Sequence, residues 1–307
     1  MGLNRLTVSA APHIHSGAAT NRIMIDVLVS LLPAFLASLM IFGARAALVV
    51  LVCIAACVFC EWAFQKALKK PVTISDFSAA VTGVLLGFNL PSTIPVWQAV
   101  FGSVVAIILV KQLFGGLGKN FANPAATARI VMFLAFSVTM TTWTLPIDGL
   151  TGATPLALLA RGESEVLPGL FDMFLGLHGG SIGETCVPAL LCGGVYLIVR
   201  RVITWHTPVV YIATVFVLTA VLGHDPVYHI LSGGLFLGAI FMATDYVTTP
   251  QTASGRLVFG MGAGVLTVLF RVYGSFPEGV SFAILLMNIV TPYINRLTIP
   301  LALGSKK

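Results

Sequence analysis

Ten apolar stretches, near residues 23–42, 46–64, 77–90, 97–114, 126–142, 186–199, 208–222, 228–244, 257–272 and 279–294, occupy most of this 307-residue chain, and nothing else limits its fold as strongly. A helix needs about 20 residues to cross ~30 Å of hydrocarbon, where every backbone polar group must be satisfied within the segment. With 57% hydrophobic and 9% charged residues the composition lies outside that of soluble domains. An all-α integral membrane protein of about ten transmembrane helices is expected. Its third stretch is short, bounded by Asp76 and by Asn89-Leu90-Pro91. Residues 1–21 lack the apolar core of a secretory signal, so insertion is expected to use the spans themselves.

A net charge of +6 raises nucleic acid as a partner, yet the basic residues sit singly or in short groups at the ends of apolar runs, as topology signals do. No nucleic-acid partner is expected. With the N-terminus in the cytoplasm, fourteen basic residues fall inside: Arg5, Arg22, Lys66, Lys69, Lys70, Lys111, Lys119, Arg129, Arg200, Arg201, Arg256, Arg296, Lys306 and Lys307. Arg45, Arg161 and Arg271 fall outside. This bias predicts an even number of spans, both termini cytoplasmic, and an outer loop over 143–185. Cys53, Cys57 and Cys60 share one helical face inside an apolar span, where thiols serve more often as small hydrophobes than as metal ligands.

The stretch GVLLGFNLPSTIP (83–95) aligns with GAIFMATDYVTTP (238–250), sharing a glycine, a threonine and the final proline. Such a repeat places five spans in each half, and an odd number forces the copies into opposite orientations. The expected divisions are a cytoplasmic segment 1–22, a first five-helix repeat 23–142, an outer loop 143–185, a second repeat 186–296 and a cytoplasmic tail 297–307. Two ordinary helix ends with turn chemistry explain the same similarity.

The outer loop carries a polar patch, DGLTGATP (148–155). Thr154 followed by Pro155 and LALLAR reads as a helix start, with threonine at the N-cap and proline at the first helical position. That reading leaves Asp148 and the Thr151-Gly152-Ala153 run unexplained, although turns often hold such residues. A helix N-terminus also favours phosphate, because its free N–H groups and dipole attract negative charge.

The run from Asp148 to Thr154 resembles the D-x-x-(S/T)-G-A-(S/T) signature at which a flavin transferase attaches FMN through a phosphoester to the last residue. Ten-span proteins carrying it are RnfD, the D-type membrane component of the Rnf complex, and the related B-type component of the Na+-translocating NADH:quinone oxidoreductase. LTVSAAPHIHSGAATNRIMIDVLVSLLPA (6–34), LFGGLGKNFANPAATARI (113–130) and ATDYVTTPQTASG (243–255) resemble the same family, and the length is closer to that of RnfD. The resemblance implies covalent FMN on Thr154, within a motif formed with Asp148, Thr151, Gly152 and Ala153. It also implies a noncovalent riboflavin held by Asn120 and Asn123, for which a tight inter-helix turn with Asn123-Pro124 opening the next span is the competing reading.

The implied function is electron transfer within an ion-translocating ferredoxin:NAD+ oxidoreductase that moves Na+ or H+, in a bacterial or archaeal cell membrane. Implied partners are the other membrane and peripheral Rnf subunits, a second flavin-carrying subunit among them, together with the flavin transferase and lipid. No nucleotide fingerprint and no cysteine set for an iron–sulfur cluster is visible in the chain, so it is not expected to turn over alone. Asp26, Glu61 and Asp76 are expected in solvated or paired surface roles. Asp245, beside Thr244, Thr248 and Thr249, is the candidate for an ion. No residue is expected to act as a catalytic acid or base, and no metal site is expected. The rival reading is an inverted-repeat transporter or channel without a redox cofactor.

Overall fold

The computed structural model describes residues 20–145, 151–163, 167–274 and 279–300, with the side chain of Thr151 excepted. Helices α1 (Thr20–Phe42), α2 (Ala44–Ala67), α3 (Ser78–Phe88), α4 (Val96–Val104, continued as a π-helix over Val105–Gln112) and α5 (Pro124–Ala135) precede a short α6 (Ser137–Met140). A two-residue ribbon follows, β1 (Trp143–Thr144) antiparallel to β2 (Thr151–Gly152), then α7 (Pro155–Arg161) and α8 (Leu170–Leu175). The second half contains α9 (Val187–Val199), α10 (His206–Val221), α11 (Pro226–Leu231), α12 (Leu235–Leu237, continued as a π-helix over Gly238–Met242), α13 (Ala253–Val272) and α14 (Val280–Thr298).

All ten apolar stretches coincide with helix, and four helices, α1, α2, α13 and α14, are long and apolar enough to cross a membrane. Shorter apolar helices account for the others, and the eighth stretch is broken: after α11 the chain turns at Gly233 and Gly234, both at φ +66°, before α12 begins. Large apolar side chains such as Met40, Leu134, Val138, Val221 and Leu297 stand exposed around the bundle, as lipid-facing residues do.

Against lipid, apolar burial drives association weakly, and close backbone approach does more. The glycines supply it. A Cβ on Gly83 of α3 would lie 2.6 Å from the Ile54 Cα in α2, and one on Gly87 would lie 3.0 Å from the Val50 Cα. Gly260 and Gly264, also four apart, bring α13 against Thr207 and Thr214 of α10. One core joins the halves, from Leu31 and Leu86 to Tyr211 and Phe259.

Segments 78–88 and 235–242 run in opposite directions. Helix α3 starts beside Lys111 and ends where the Phe88 and Leu90 carbonyls accept from Gly183 and Ile182 N–H. Segment 235–242 starts where Gly234 packs against Glu184 and ends where the Met242 carbonyl accepts from Asn123 Nδ2. The two meet at Asn89, whose Nδ2 approaches Met242 Sδ at 3.5 Å.

Candidate functional site

Two polar regions occupy opposite ends of the bundle. At the ribbon end, Trp143 pairs with Gly152 and Thr144 with Thr151, which delivers Ala153 and Thr154 to the start of α7. Thr154 is the N-cap, as its sequence context predicts: its Oγ1 accepts from Ala157 N–H at 3.2 Å, Pro155 follows at the first helical position, and α7 closes at Gly162 with φ +74°. The Thr154 side chain is buried, whereas Gly152 and Ala153 are half-buried. Asp148, Gly149 and Leu150 lie outside the described residues, so the structure carries no account of Asp148.

Neighbouring segments fix this junction. The Ser92 and Thr144 hydroxyls bond at 2.8 Å, tying β1 to the turn after α3. Gly179 packs beneath the ribbon against Trp143, Leu145 and the Ala153 carbonyl. Residues after Gly179 are held from α5: Arg129 donates to Asn89 Oδ1 at 2.7 Å, to Ser181 Oγ at 3.3 Å and to Glu184 Oε2 at 3.5 Å, while Glu184 Oε1 accepts from Ser181 N–H at 2.9 Å. From α13, Arg271 donates to the His229, Ser232 and Gly233 carbonyls, a favourable place for a cation at the end of α11. Leu156 of α7 seats on Gly233. Buried His178 donates from Nδ1 to the Gly179 carbonyl at 3.1 Å, and burial holds its pKa below the ordinary histidine value. A cavity of about 380 Å3, lined by Arg45, Ser92, Thr93, Thr144 and Leu145 among others, opens beside the ribbon.

The opposite end brings Asn120, Asn123 and Asp245 around one cavity, together with Lys111 and Ser78. These residues lie up to 167 positions apart in sequence, and the fold brings them to one cavity wall. Their polar atoms are largely committed, however. Asn123 Oδ1 caps α5 by accepting from Ala125 and Ala126 N–H, and its Nδ2 donates to Met242 O. Asn120 Nδ2 donates to Ala122 O at 3.0 Å. Asp245 accepts from Val247 N–H and Thr248 Oγ1, while the Thr244 and Thr249 hydroxyls donate to the Ile240 and Ala243 carbonyls. The cavity measures about 100 Å3, below the ~300–1,000 Å3 of ordinary ligand pockets. Leu117 separates it from a wider groove of about 620 Å3 that runs over Gly115 and Gly116, both at positive φ, between Gln65, Gln112 and Asp76.

Below the cavity, the expected surface role of Glu61 gives way to a buried one. Glu61 is fully buried in α2, and Lys111 Nζ reaches both of its oxygens, at 3.0 and 2.7 Å, and Ser78 Oγ at 2.6 Å. Gln112 adds a bond at 2.9 Å, and Asp76 accepts from Ser78. The helix register change into π geometry over Val105–Gln112 places Lys111 and Gln112 side by side on this carboxylate. Asp26 does hold a paired, partly exposed position with Arg200 at 3.2 Å. Burial also revises the charge count: without Lys111, Arg129 and Arg271 the bias is twelve basic residues against two, still one-sided. Sequence reasoning missed Arg129, Glu184 and Arg271 as organisers of the ribbon end. The one signal was a charge inside or beside an apolar run, but partners 38 to 55 residues away have no local signature.

Cys53, Cys57 and Cys60 are buried free thiols in the packed core, and among the described residues no three His, Cys, Asp or Glu side chains converge as a metal site.

The family model described as NQR2, RnfD, RnfE matches residues 7–304. The chain is 48% identical to the D-type subunit of the Na+-translocating ferredoxin:NAD+ oxidoreductase complex of Acetobacterium woodii, over 95% of this chain and 93% of the other. It is 42% identical to the D-type subunit of the proton-translocating ferredoxin:NAD+ oxidoreductase complex of Clostridium ljungdahlii, over 99% and 98%. It is 40% identical to the D-type subunit of an ion-translocating oxidoreductase complex of Stutzerimonas stutzeri, over 94% and 93%. With its apolar helices and a match along almost its whole length, this multi-pass membrane protein belongs to the NQR2, RnfD, RnfE family.

Proposed function

We propose that the chain is the D-type membrane subunit of an Rnf complex that couples ferredoxin:NAD+ redox chemistry to Na+ or H+ movement, with FMN joined to Thr154 as a phosphoester. The carrying observation is Thr154 itself: the last residue of the flavin signature forms a ribbon-to-helix junction gripped by both halves of the chain. Its neighbours fit the group. The N-terminus of α7 would favour the charge of a phosphate on Oγ1, and the 380 Å3 cavity beside the ribbon is large enough for a tethered ring. A bound isoalloxazine ring supplies one- and two-electron chemistry. The chain contributes position: Pro155 and the Ala157 N–H set the threonine, and Arg129 and Arg271 hold the segments on either side.

Ten spans in two inverted five-helix repeats, 23–142 and 186–296, complete the reading, with the 143–185 loop outside and the 1–22 and 297–307 termini cytoplasmic. The opposed courses of 78–88 and 235–242 and the surviving charge bias support it. A flavin at one face does not carry electrons across ~30 Å alone. The second, riboflavin, belongs at the Asn120 end. Because Asn123 is committed as an N-cap, Asn120 is the better ligand, and the groove over Gly115 and Gly116 is the better-sized room. Donor and acceptor sites for ferredoxin and NAD+ lie on other subunits.

The test is in-gel flavin fluorescence after denaturation, with intact mass, on protein co-expressed with a flavin transferase. A mass gain of FMN less water, absent in Thr154→Ala, supports the proposal. No covalent flavin from a host that modifies a positive control returns the chain to the transporter class. Full flavinylation of Asp148→Ala removes Asp148 from transferase recognition, and unchanged riboflavin in an Asn120→Ala/Asn123→Ala protein removes that site.

A further inference from the structure

A further cavity, of about 340 Å3, opens at the Asn120 end between α10, α13 and the turn after Thr244. Its wall includes Arg201, Arg256, Thr204, Thr207, Thr249 and Gln251, and no acidic side chain lines it. Arg256 is oriented from both sides, by Nε to the Pro250 carbonyl at 3.1 Å and by Nη1 to Thr204 Oγ1 at 3.0 Å. Arg201 is exposed, and among the described residues neither arginine meets a carboxylate. The nearest acid in sequence, Asp245, faces the neighbouring cavity with Asn120.

Two long helices begin here. The 16-residue α10 starts without a side-chain cap, leaving first-turn N–H groups to find other acceptors, and the 20-residue α13 starts beside it. Thr207, in the first turn of α10, is only 1% exposed, lines this cavity, and has no side-chain hydrogen bond among the described residues. A buried hydroxyl, uncapped N–H groups and two cations without an anion form a site that lacks its ligand's charge.

We propose that this notch binds a phosphate group, either orthophosphate or the headgroup of an anionic phospholipid. The placement suits a headgroup: exposed Trp205 adjoins the notch and stacks on His206 at 4.3 Å, as aromatic residues do at a membrane boundary. Electrostatics selects the anion, and the guanidinium forks and Thr207 select its oxygens.

The experiment uses native mass spectrometry of the full-length chain after delipidation and addition of phosphatidylglycerol or phosphatidylcholine, with a parallel thermal-shift titration by sodium phosphate against sodium chloride at equal ionic strength. Retained phosphatidylglycerol that weakens about tenfold or more in R201Q/R256Q, with phosphatidylcholine unaffected, supports a lipid headgroup. Protection by phosphate alone, lost in the same variant, supports free phosphate as the source. Thr207→Val, which keeps side-chain volume, is expected to weaken either ligand severalfold, and R201K/R256K, which keeps the charge and loses the forks, to bind more weakly than wild type but more tightly than R201Q/R256Q. Equal binding by wild type and R201Q/R256Q, or none by either ligand, overturns the proposal, including the outcome in which only an acidic partner subunit occupies the notch.

Discussion

The ribbon end and the Asn120 end both bury cations, but they use them differently. At the ribbon end Arg129 and Arg271 spread their planar forks over acceptors on separate segments: Asn89, Ser181 and the Glu184 carboxylate for Arg129, and the carbonyls of 229–233 for Arg271. At the other end Lys111 spends its donors within one compact cluster, on Glu61 and Ser78. A fork spans and orients irregular backbone, whereas a point charge closes a helix–helix junction. The difference matches the proposed cargo. A tethered group needs a fixed attachment residue beside its space, about 380 Å3 at the ribbon end, while an untethered one depends on the space alone, and the groove at the Asn120 end measures about 620 Å3.

The contrast between the two ends is broken most completely at Thr154. Thr154→Ala is expected to abolish covalent flavin while costing about 1 kcal/mol through the lost cap, so mass and thermal unfolding separate attachment from folding. Glu61→Ala comes next, because it leaves buried Lys111 without its counter-charge: about 3–5 kcal/mol of destabilisation in a denaturation series, with Glu61→Leu/Lys111→Met recovering most of it. Flavinylation at the distant ribbon end should survive in protein that still folds.

Arg129→Gln is expected to cost about 3–5 kcal/mol, since it leaves the buried Glu184 carboxylate without its counter-charge as well as removing hydrogen bonds to Asn89 and Ser181. Its distinguishing effect is on exchange: amides of 178–185 should lose protection ahead of those in α2. Asn123→Ala removes a cap and should cost about 0.5–2 kcal/mol, loosening α5 and leaving Thr154 chemistry intact. The smallest effect is the pH response of His178. Its folded pKa lies below the unfolded value near 6.5, so its contribution is fully present above that value and declines as pH falls toward the folded pKa, by at most ~1.4 kcal/mol per unit. His178→Gln should flatten that part of the stability–pH curve.

Much of this was legible in local sequence. The helices follow from continuous apolar runs, and the caps at Thr154 and Asn123 from a polar residue placed before proline. The turn at Gly233-Gly234 inside the eighth apolar stretch was also open to inspection, as paired glycines. Other assignments needed tertiary contacts. Glu61 sits near Lys66, Lys69 and Lys70 in sequence, which suggests a surface pair, yet its partner is Lys111, fifty residues on. Arg129 reads as an end-of-span charge until Glu184 and Asn89 are seen beside it.

The sequence by itself determined that the chain is helical and apolar, where its helices begin, and which family it joins, because these depend on hydropathy, capping chemistry and residue order. The tertiary structure alone decided which charges are buried together, that Asn120 and Asp245 share a cavity, and that Thr154 is braced by both halves. Such pairings are set by how close the Gly83, Gly87, Gly260 and Gly264 seams let helices approach, which brings side chains together that the chain itself keeps far apart.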